Sequence, residues 1–356
     1  MTQIQENVSL QEYNTFHVDV KARFFVDIKE EQDILDLIST DVFAQYPHLI
    51  LGGGANILFT KDYEGIVIKV SLMGKESIGE YNDALYVKVG AGEDRHETMM
   101  RSLEKGYAGG ENLVLIPGQV GSAPVGNIWA YGKEAKDIIH QVEGIDLQTG
   151  EKKVLSNEDC HFAYRDSIFK HELKGRFLIT HVVFVFQKIT DEYIADIHYA
   201  DIQKAIADQG KDPLKITPSE LADIIIAIRE QKLPDRTKVW TAWSFFKNPI
   251  VTKDQYDKLL QKYPELKWNI LQQDHQHSTL SIQHSTLVKL SAWQLIDLIG
   301  YKWKANGPVG TYANHALVLI NEWWASGQDV INFAQEIQKK VLEQFDVILE
   351  PEVIVI

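Results

Sequence analysis

The stretch Leu115–Glu134, LIPGQVGSAPVGNIWAYGKE, limits the folds open to this chain more than any other. Glycine stands at 118, 121, 126 and 132, proline at 117 and 124, and small side chains at Ser122 and Ala123. Neither a helical nor a strand period runs through it, so it is not an ordinary core helix or strand. Glycine and small residues let backbone N–H groups come close to a ligand, and several in succession form an anion-binding concavity. A phosphate or pyrophosphate against this backbone is one reading; a long surface loop is the other.

The chain has 356 residues, too many for one ordinary core, and two or three domains are expected. Its longest apolar runs, such as Val182–Phe186 and Ile224–Ile228, are too short to span a membrane. The N-terminal MTQIQENVSL lacks a basic region followed by an apolar one, and Cys160 is the single cysteine. A cytoplasmic protein without disulfides is expected, its thiol buried. The 36 basic and 50 acidic residues leave a net charge of −14. That field disfavours nucleic acid and anionic lipid, but it admits an anionic small molecule where a few Lys and Arg converge.

Strand-like alternation in 14–28 is followed by a helical pattern at Glu30–Ser39. HLILGGGANILF (48–59) invites a dinucleotide fingerprint, but the third glycine position is Ile57 and strand-like sequence comes next. A tight Gly turn between strands fits better. Ile66–Val70, Ala84–Gly90, Ile138–Leu147, Phe177–Phe186 and Ala316–Ile320 read as strands. His96–Lys105, 218–231, Thr252–Gln261, Ala292–Ile299 and Ser326–Phe345 read as helices, and 232–251 as a Pro-bounded loop leading into a short apolar run. VILEPEVIVI (347–356) reads as a closing strand. Without regular βαβ alternation the fold class is α+β. His275, His277 and His284 lie in a polar stretch without cysteine, and no metal site is expected there.

These segments together resemble the UDP-N-acetylenolpyruvoylglucosamine reductase family. The matching pieces are NTF (14–16), LGGGANILF (51–59), VGAGED with His96, and ENLVLIPGQVGSAPVGNI with AYG (111–132). YRDSIFK (164–170), SFFKNP (244–249), ALVLIN (316–321) and LEPEV (349–353) complete the series, in the family's order. The resemblance implies an FAD-binding fold of the vanillyl-alcohol oxidase type with a smaller α+β substrate domain. It places a first FAD subdomain at 1–69, to which 347–356 returns, a second at 70–236, and the substrate domain at 237–346. NADPH would reduce FAD, and reduced flavin would pass hydride to the enolpyruvyl C3 of a UDP-sugar, giving UDP-N-acetylmuramate. A monomer is expected. An oxidase or dehydrogenase of the same fold acting on another small molecule, or an inactive flavin- or nucleotide-binding homologue, are the alternatives.

Residue by residue, the resemblance assigns FAD contacts to Gly52, Gly53, Gly54, Ala55 and Asn56, and to Pro117, Gly118, Gly121, Ser122, Pro124 and Asn127. It makes Ser244 the proton donor to C2, and Arg165 with Glu352 the pair that handles the substrate carboxylate. Hydride addition pushes electron density towards that carboxylate, and a preorganised bidentate guanidinium stabilises it better than an ammonium. Glu352 is expected to be protonated there or closely paired, since two nearby carboxylates do not both ionise cheaply. Tyr199, in the subclass with a tyrosine-bearing mobile loop, would close over the uridine diphosphate. Tyr164, Arg229, Lys232, Asn248 and Lys289 would supply polar contacts to the nucleotide-sugar.

Seven of the eight tryptophans, at 129, 240, 243, 293, 303, 323 and 324, stand where the family pattern leads us to expect glycine. Glycine serves positions of positive φ or close backbone approach, which an indole cannot do freely. The expectation is that UGA codons read as glycine in the source stand here as tryptophan. A genuinely Trp-rich homologue with a reshaped pocket is the competing reading.

Overall fold

The computed structural model describes residues 2–356 except Arg236, Thr237, Lys267, 271–286 and Trp323, and gives only the backbone of 268–270. The three histidines of the polar stretch and Trp323 therefore lie outside the described residues. Its contacts divide the chain into two compact units. The first comprises Met1–Ser9, Lys21–Gly54 and Asp62–Gln231; the second comprises Leu10–Val20, Ala55–Lys61 and Lys232–Ile356. No helix among the described residues is long and apolar enough to cross a membrane.

In the first unit the strand Lys21–Ile28 pairs antiparallel with Gln5–Ser9 and parallel with Tyr63–Val70, which in turn pairs parallel with His48–Leu51. Ile66, Ile68 and Val70 are buried against the helix Glu31–Ile38, whose Ile34 and Leu37 point the same way. A six-stranded sheet comes next, ordered Lys152–Ser156, Ile139–Asp146, Phe177–Lys188, Ala84–Gly90 and Lys75–Tyr81, with Tyr107–Ala108 pairing the far end of Phe177–Lys188. Leu85, Val87 and Val89 alternate in Ala84–Gly90, which explains why it was legible as a strand; in Ile139–Asp146 two irregularities of register leave the apolar Ile139, Val142 and Ile145 three apart. Asp146, fully buried, receives three Arg176 bonds at 2.7, 3.0 and 3.1 Å and one from Lys153 at 2.8 Å. The Arg176 bonds hold its carboxyl well below the usual carboxylate range.

In the second unit the strands Trp240–Ser244, His315–Asn321, Val309–Tyr312 and Ala305–Asn306 form one sheet. The helix Gly327–Phe345, capped reciprocally by Ser326 and Asp329, buries Val330, Phe333, Ile337 and Val341. The NTF motif acts here. Asn14 takes the Val18 N–H and donates to the Leu10 and Val18 carbonyls at 2.7 and 3.0 Å, and Thr15 exchanges bonds with Thr241 at 2.6 and 2.8 Å. The closing segment differs from the single strand expected. Only Ile354–Val355 is regular, parallel to Ile57–Leu58, because Pro351 has no N–H and reduces the earlier part to a lone bridge with Phe246.

Candidate active site

The glycine-rich stretch folds as a chain of turns on the first unit. Leu115, Gly118, Asn127, Tyr131 and Gly132 all have positive φ, with Gly118 at 111°. Val120 and Gly121 donate to the carbonyls of Glu93 and Ala91 at 2.8 and 2.9 Å, fixing the stretch to the turn after the strand Ala84–Gly90. A Cβ on Gly121 would stand 2.6 Å from that of Ala91, so this position admits only glycine without a shift. The second glycine turn lies alongside: a Cβ on Gly53 would meet Gly118 Cα at 3.6 Å, and one on Gly52 would meet Gln119 Oε1 at 3.3 Å. Two backbone turns thus run side by side, with the Gln119 side chain against Gly52 and Gly53.

Arg95 lies beside this cradle, against Pro117 and Gly118. It is 3% exposed, and its Nη2 donates to the Pro117 carbonyl, while Nε and Nη1 are buried without a protein partner. Burial pushes the guanidinium down to about 10, and Arg165 and Arg229 press it the same way. Unmet donors on a buried cation beside bare backbone are what an anion such as a pyrophosphate would complete. The residues present therefore fit the FAD pyrophosphate. Nothing in EDRHE singled out Arg95; it reads as a solvated charge at a helix start. Of the other expected contacts, Ser122 donates to the Gln119 carbonyl at 2.7 Å. Asn127 spends its amide inside the protein, donating to Glu134 and the Ala163 carbonyl and accepting from Lys136 N–H.

Arg165 sits at the tip of a tight turn in which Ala163 and Asp166 exchange backbone bonds at 3.1 Å, and its own φ is 55°. Ser167 ties the turn to the Val125 carbonyl at 2.7 Å. Arg229, on the helix Pro218–Lys232, bonds the Tyr131 hydroxyl and keeps a buried Nε without partner. Burial lowers its guanidinium, and Arg165 adds to the effect. Tyr199 precedes the helix Ala200–Asp208 and meets Trp129 and Tyr131 edge-on at 5.9 and 5.6 Å. Burial pushes its hydroxyl up to about 12, assisted by Asp196, Tyr164 and Tyr131. Arg165, Arg229, Tyr164 and Tyr199 are thus neighbours on the first unit, and a chain of net charge −14 gathers three guanidiniums there.

The remaining expected residues belong to the second unit, apart from the glycine turn itself. Thr241 pairs with Ile320 and Ser244 with Val318, so Ala242 and Trp243 oppose one residue and the strand bulges. The bulge re-aims the strand just before Ser244. Glu352 donates its N–H to the Phe245 carbonyl at 2.8 Å, and Lys247 donates to the Glu350 carbonyl at 2.9 Å, which brings Ser244 and Glu352 to adjacent chains. Asn56 donates to the Glu352 carbonyl at 3.2 Å. The Asn248 side chain accepts from Ala292 N–H at 2.9 Å, Lys289 pairs with Ile250 in the strand Leu287–Leu290, and Lys232 ends its helix.

The tryptophans divide into two groups. Trp243, Trp303 and Trp324 have φ of 67, 53 and 56°, the region that favours glycine, and the last two are 81% and 69% exposed. Trp243 also buries its Nε1 without a partner. Trp129 and Trp240 stand in strands and Trp293 in a helix, so left-handed backbone gives no reason for glycine there. Glycine at 243, 303 and 324 is expected to raise stability by about 1 kcal/mol per site. Melting temperatures of the single and triple variants check this; no gain at any site would mean the chain accommodates the indoles.

This cradle is matched in sequence. Residues 22–156 fit the profile of an FAD binding domain, which places the chain among FAD-binding proteins. Residues 234–356 fit that of the UDP-N-acetylenolpyruvoylglucosamine reductase C-terminal domain. A protein of Flavobacterium johnsoniae named UDP-N-acetylenolpyruvoylglucosamine reductase is 38% identical over 355 residues, covering 99% of this chain and all of the relative. One of the same name from Bdellovibrio bacteriovorus is 40% identical over 350 residues, 98% of each chain. The crystal structure of the enzyme from Thermus caldophilus superposes with a TM-score of 0.66 over the whole of this chain and 99% of the other at 21% identity, a likeness of fold. The chain belongs to the UDP-N-acetylenolpyruvoylglucosamine reductase family.

Proposed function

We propose that the chain reduces the enolpyruvyl ether of UDP-N-acetylglucosamine to UDP-N-acetylmuramate, for peptidoglycan synthesis, in the cytoplasm and as a monomer. The observation that carries this is the gathering of Arg95, Arg165 and Arg229, two of them with unmet buried donors, beside a glycine cradle in an acidic chain. Such a site asks for an anionic cofactor and an anionic substrate. When bound, FAD reduced by NADPH supplies the hydride for C3.

The chain's own residues then do the rest. Arg95 and the backbone of 52–56 and 117–127 hold the pyrophosphate. Arg165 forks onto the substrate carboxylate, and Glu352 shares that group's proton and charge. The Ser244 hydroxyl delivers the proton to C2. Arg229, Lys232, Asn248 and Lys289 bind the nucleotide-sugar, with Tyr164 and Tyr199 packed against it. In domain terms, 1–69 and 70–236 form the two FAD subdomains, 237–346 the substrate domain, and 347–356 returns to the first.

A second reading, a silent flavin-binding homologue, is favoured by Trp243, an indole at positive φ immediately before the proton donor. An oxidase or dehydrogenase for another small molecule is the third. One experiment separates them: anaerobic enzyme reduced with NADPH is mixed with the enolpyruvyl nucleotide. Return of the oxidised flavin spectrum with formation of UDP-N-acetylmuramate is the expected result. Flavin that binds and reduces but stays reduced would reject the reductase; failure to take up FAD at all would reject the cradle.

A further inference from the structure

The segment that carries Tyr199 has no regular structure of its own. Residues 189–199 join the strand Phe177–Lys188 to the helix Ala200–Asp208 without a helix or strand between. Asp191, Glu192, Ile194 and His198 are exposed, and only Ala195, Ile197 and Tyr199 pack, half-buried, against the core. Polar bonds from two consecutive residues add to that hold. Glu111 is 4% exposed; its Oε1 accepts the Tyr193 hydroxyl at 2.9 Å and its Oε2 the Gly109 N–H at 2.6 Å. No cation pairs with it among the described residues. Asn112, fully buried, donates from one Nδ2 to the carbonyls of both Tyr131 at 2.9 Å and Asp196 at 3.2 Å.

One amide therefore ties the backbone of Tyr131, whose ring packs on Tyr199, to the backbone of Asp196, three residues before Tyr199. One carboxylate holds the phenol further upstream. We infer that Glu111 and Asn112 are positioning residues that keep the Tyr199 segment docked for the nucleotide, with the Tyr193–Glu111 bond as its releasable point. The inference rests on the reading of Tyr199 as a nucleotide contact. The two bonds differ in kind. Asn112 grips backbone, which moves only if the whole segment moves. Tyr193 grips through a side chain, which swings away by rotation about one bond and leaves Glu111 to water. In a site of low dielectric a phenol–carboxylate bond is stronger than a neutral one, so making or breaking it shifts the segment's docked population appreciably.

The test uses the FAD-loaded full chain carrying Tyr193→Phe, with Tyr199→Phe beside it. Amide exchange across 190–199 is expected to quicken about tenfold in Tyr193→Phe, and the KM for the enolpyruvyl nucleotide to rise by about the same factor. The kcat is expected to stay within about twofold and flavin reduction by NADPH to be unchanged, since Tyr193 touches neither reacting atom. Saturating nucleotide should restore slow exchange, which a merely structural tie would not show. Glu111→Gln, which keeps one acceptor oxygen for two donors, should fall between parent and Tyr193→Phe. Parental exchange over 190–199 in Tyr193→Phe would overturn the latch whatever the kinetics. Faster exchange with parental KM in both variants would instead overturn Tyr199 as a nucleotide contact, and the positioning role with it.

Discussion

Ser244→Ala is expected to take up FAD and accept electrons from NADPH as the parent does, and then to reoxidise on the enolpyruvyl nucleotide about 10²–10⁴-fold more slowly. The loss falls on one half of the cycle because the hydroxyl is needed only when C2 gains its proton. A free serine hydroxyl is a very weak acid, so its effectiveness rests on placement. The bulge at Ala242–Trp243 and the bond from Phe245 N–H to the Leu317 carbonyl at 2.9 Å fix the backbone on both sides of it. Alanine changes neither, so folding and cofactor content should match the parent. Ser244→Cys, which keeps an acidic proton at the same place, should recover part of the rate. Stopped-flow reoxidation within a few-fold of parent in Ser244→Ala would remove the residue from the chemistry.

Arg165→Lys is expected to lower the same half-reaction by about 10²–10³-fold. Lysine keeps the charge but loses the planar fork that meets both carboxylate oxygens. Because position 165 already has φ of 55°, lysine meets the same backbone demand as arginine and should leave the Ala163–Asp166 turn intact. The melting temperature is therefore the internal control, and the single-turnover rate is the readout. A slow rate with unchanged melting places the loss in the transition state. A rate near parental would show that a point charge suffices, and the bidentate role would fall.

Much of the frame was legible because burial imposes a period. The helix Gly327–Phe345 buries one side and shows it in sequence, and Ala84–Gly90 shows its strand period through Leu85, Val87 and Val89. Lys75–Tyr81 was not: its residues are exposed or half-exposed and polar, so no apolar stripe marked it. Trp240–Ser244, read as part of a loop, was hidden by its bulge, which breaks alternation where the strand matters most. A dinucleotide fingerprint needs a helix directly after its glycines, and at that place Ile57–Leu58 is a strand. At the site, glycines betray themselves by composition. Arg95 does not, since its burial is decided by Pro117 and Gly118, more than a helix away in the chain. Tyr193 is equally silent, one aromatic in a polar run until Glu111 is seen beneath it.

The second unit has a consequence for how the protein is made. Its first two pieces, Leu10–Val20 and Ala55–Lys61, leave the ribosome long before Trp240–Ser244 and His315–Asn321, to which Thr15 and Phe16 are bonded. Most of the first unit, Asp62–Gln231, is synthesised in between. Such distant pairings carry a high loop-closure cost and form late. A nascent chain thus completes its cofactor cradle while the strand leading to Ser244 is still untranslated. Two early segments, Phe16 and Phe59 among their apolar residues, wait unpaired meanwhile. Chaperone demand, and sensitivity to interrupted synthesis, should concentrate in that interval.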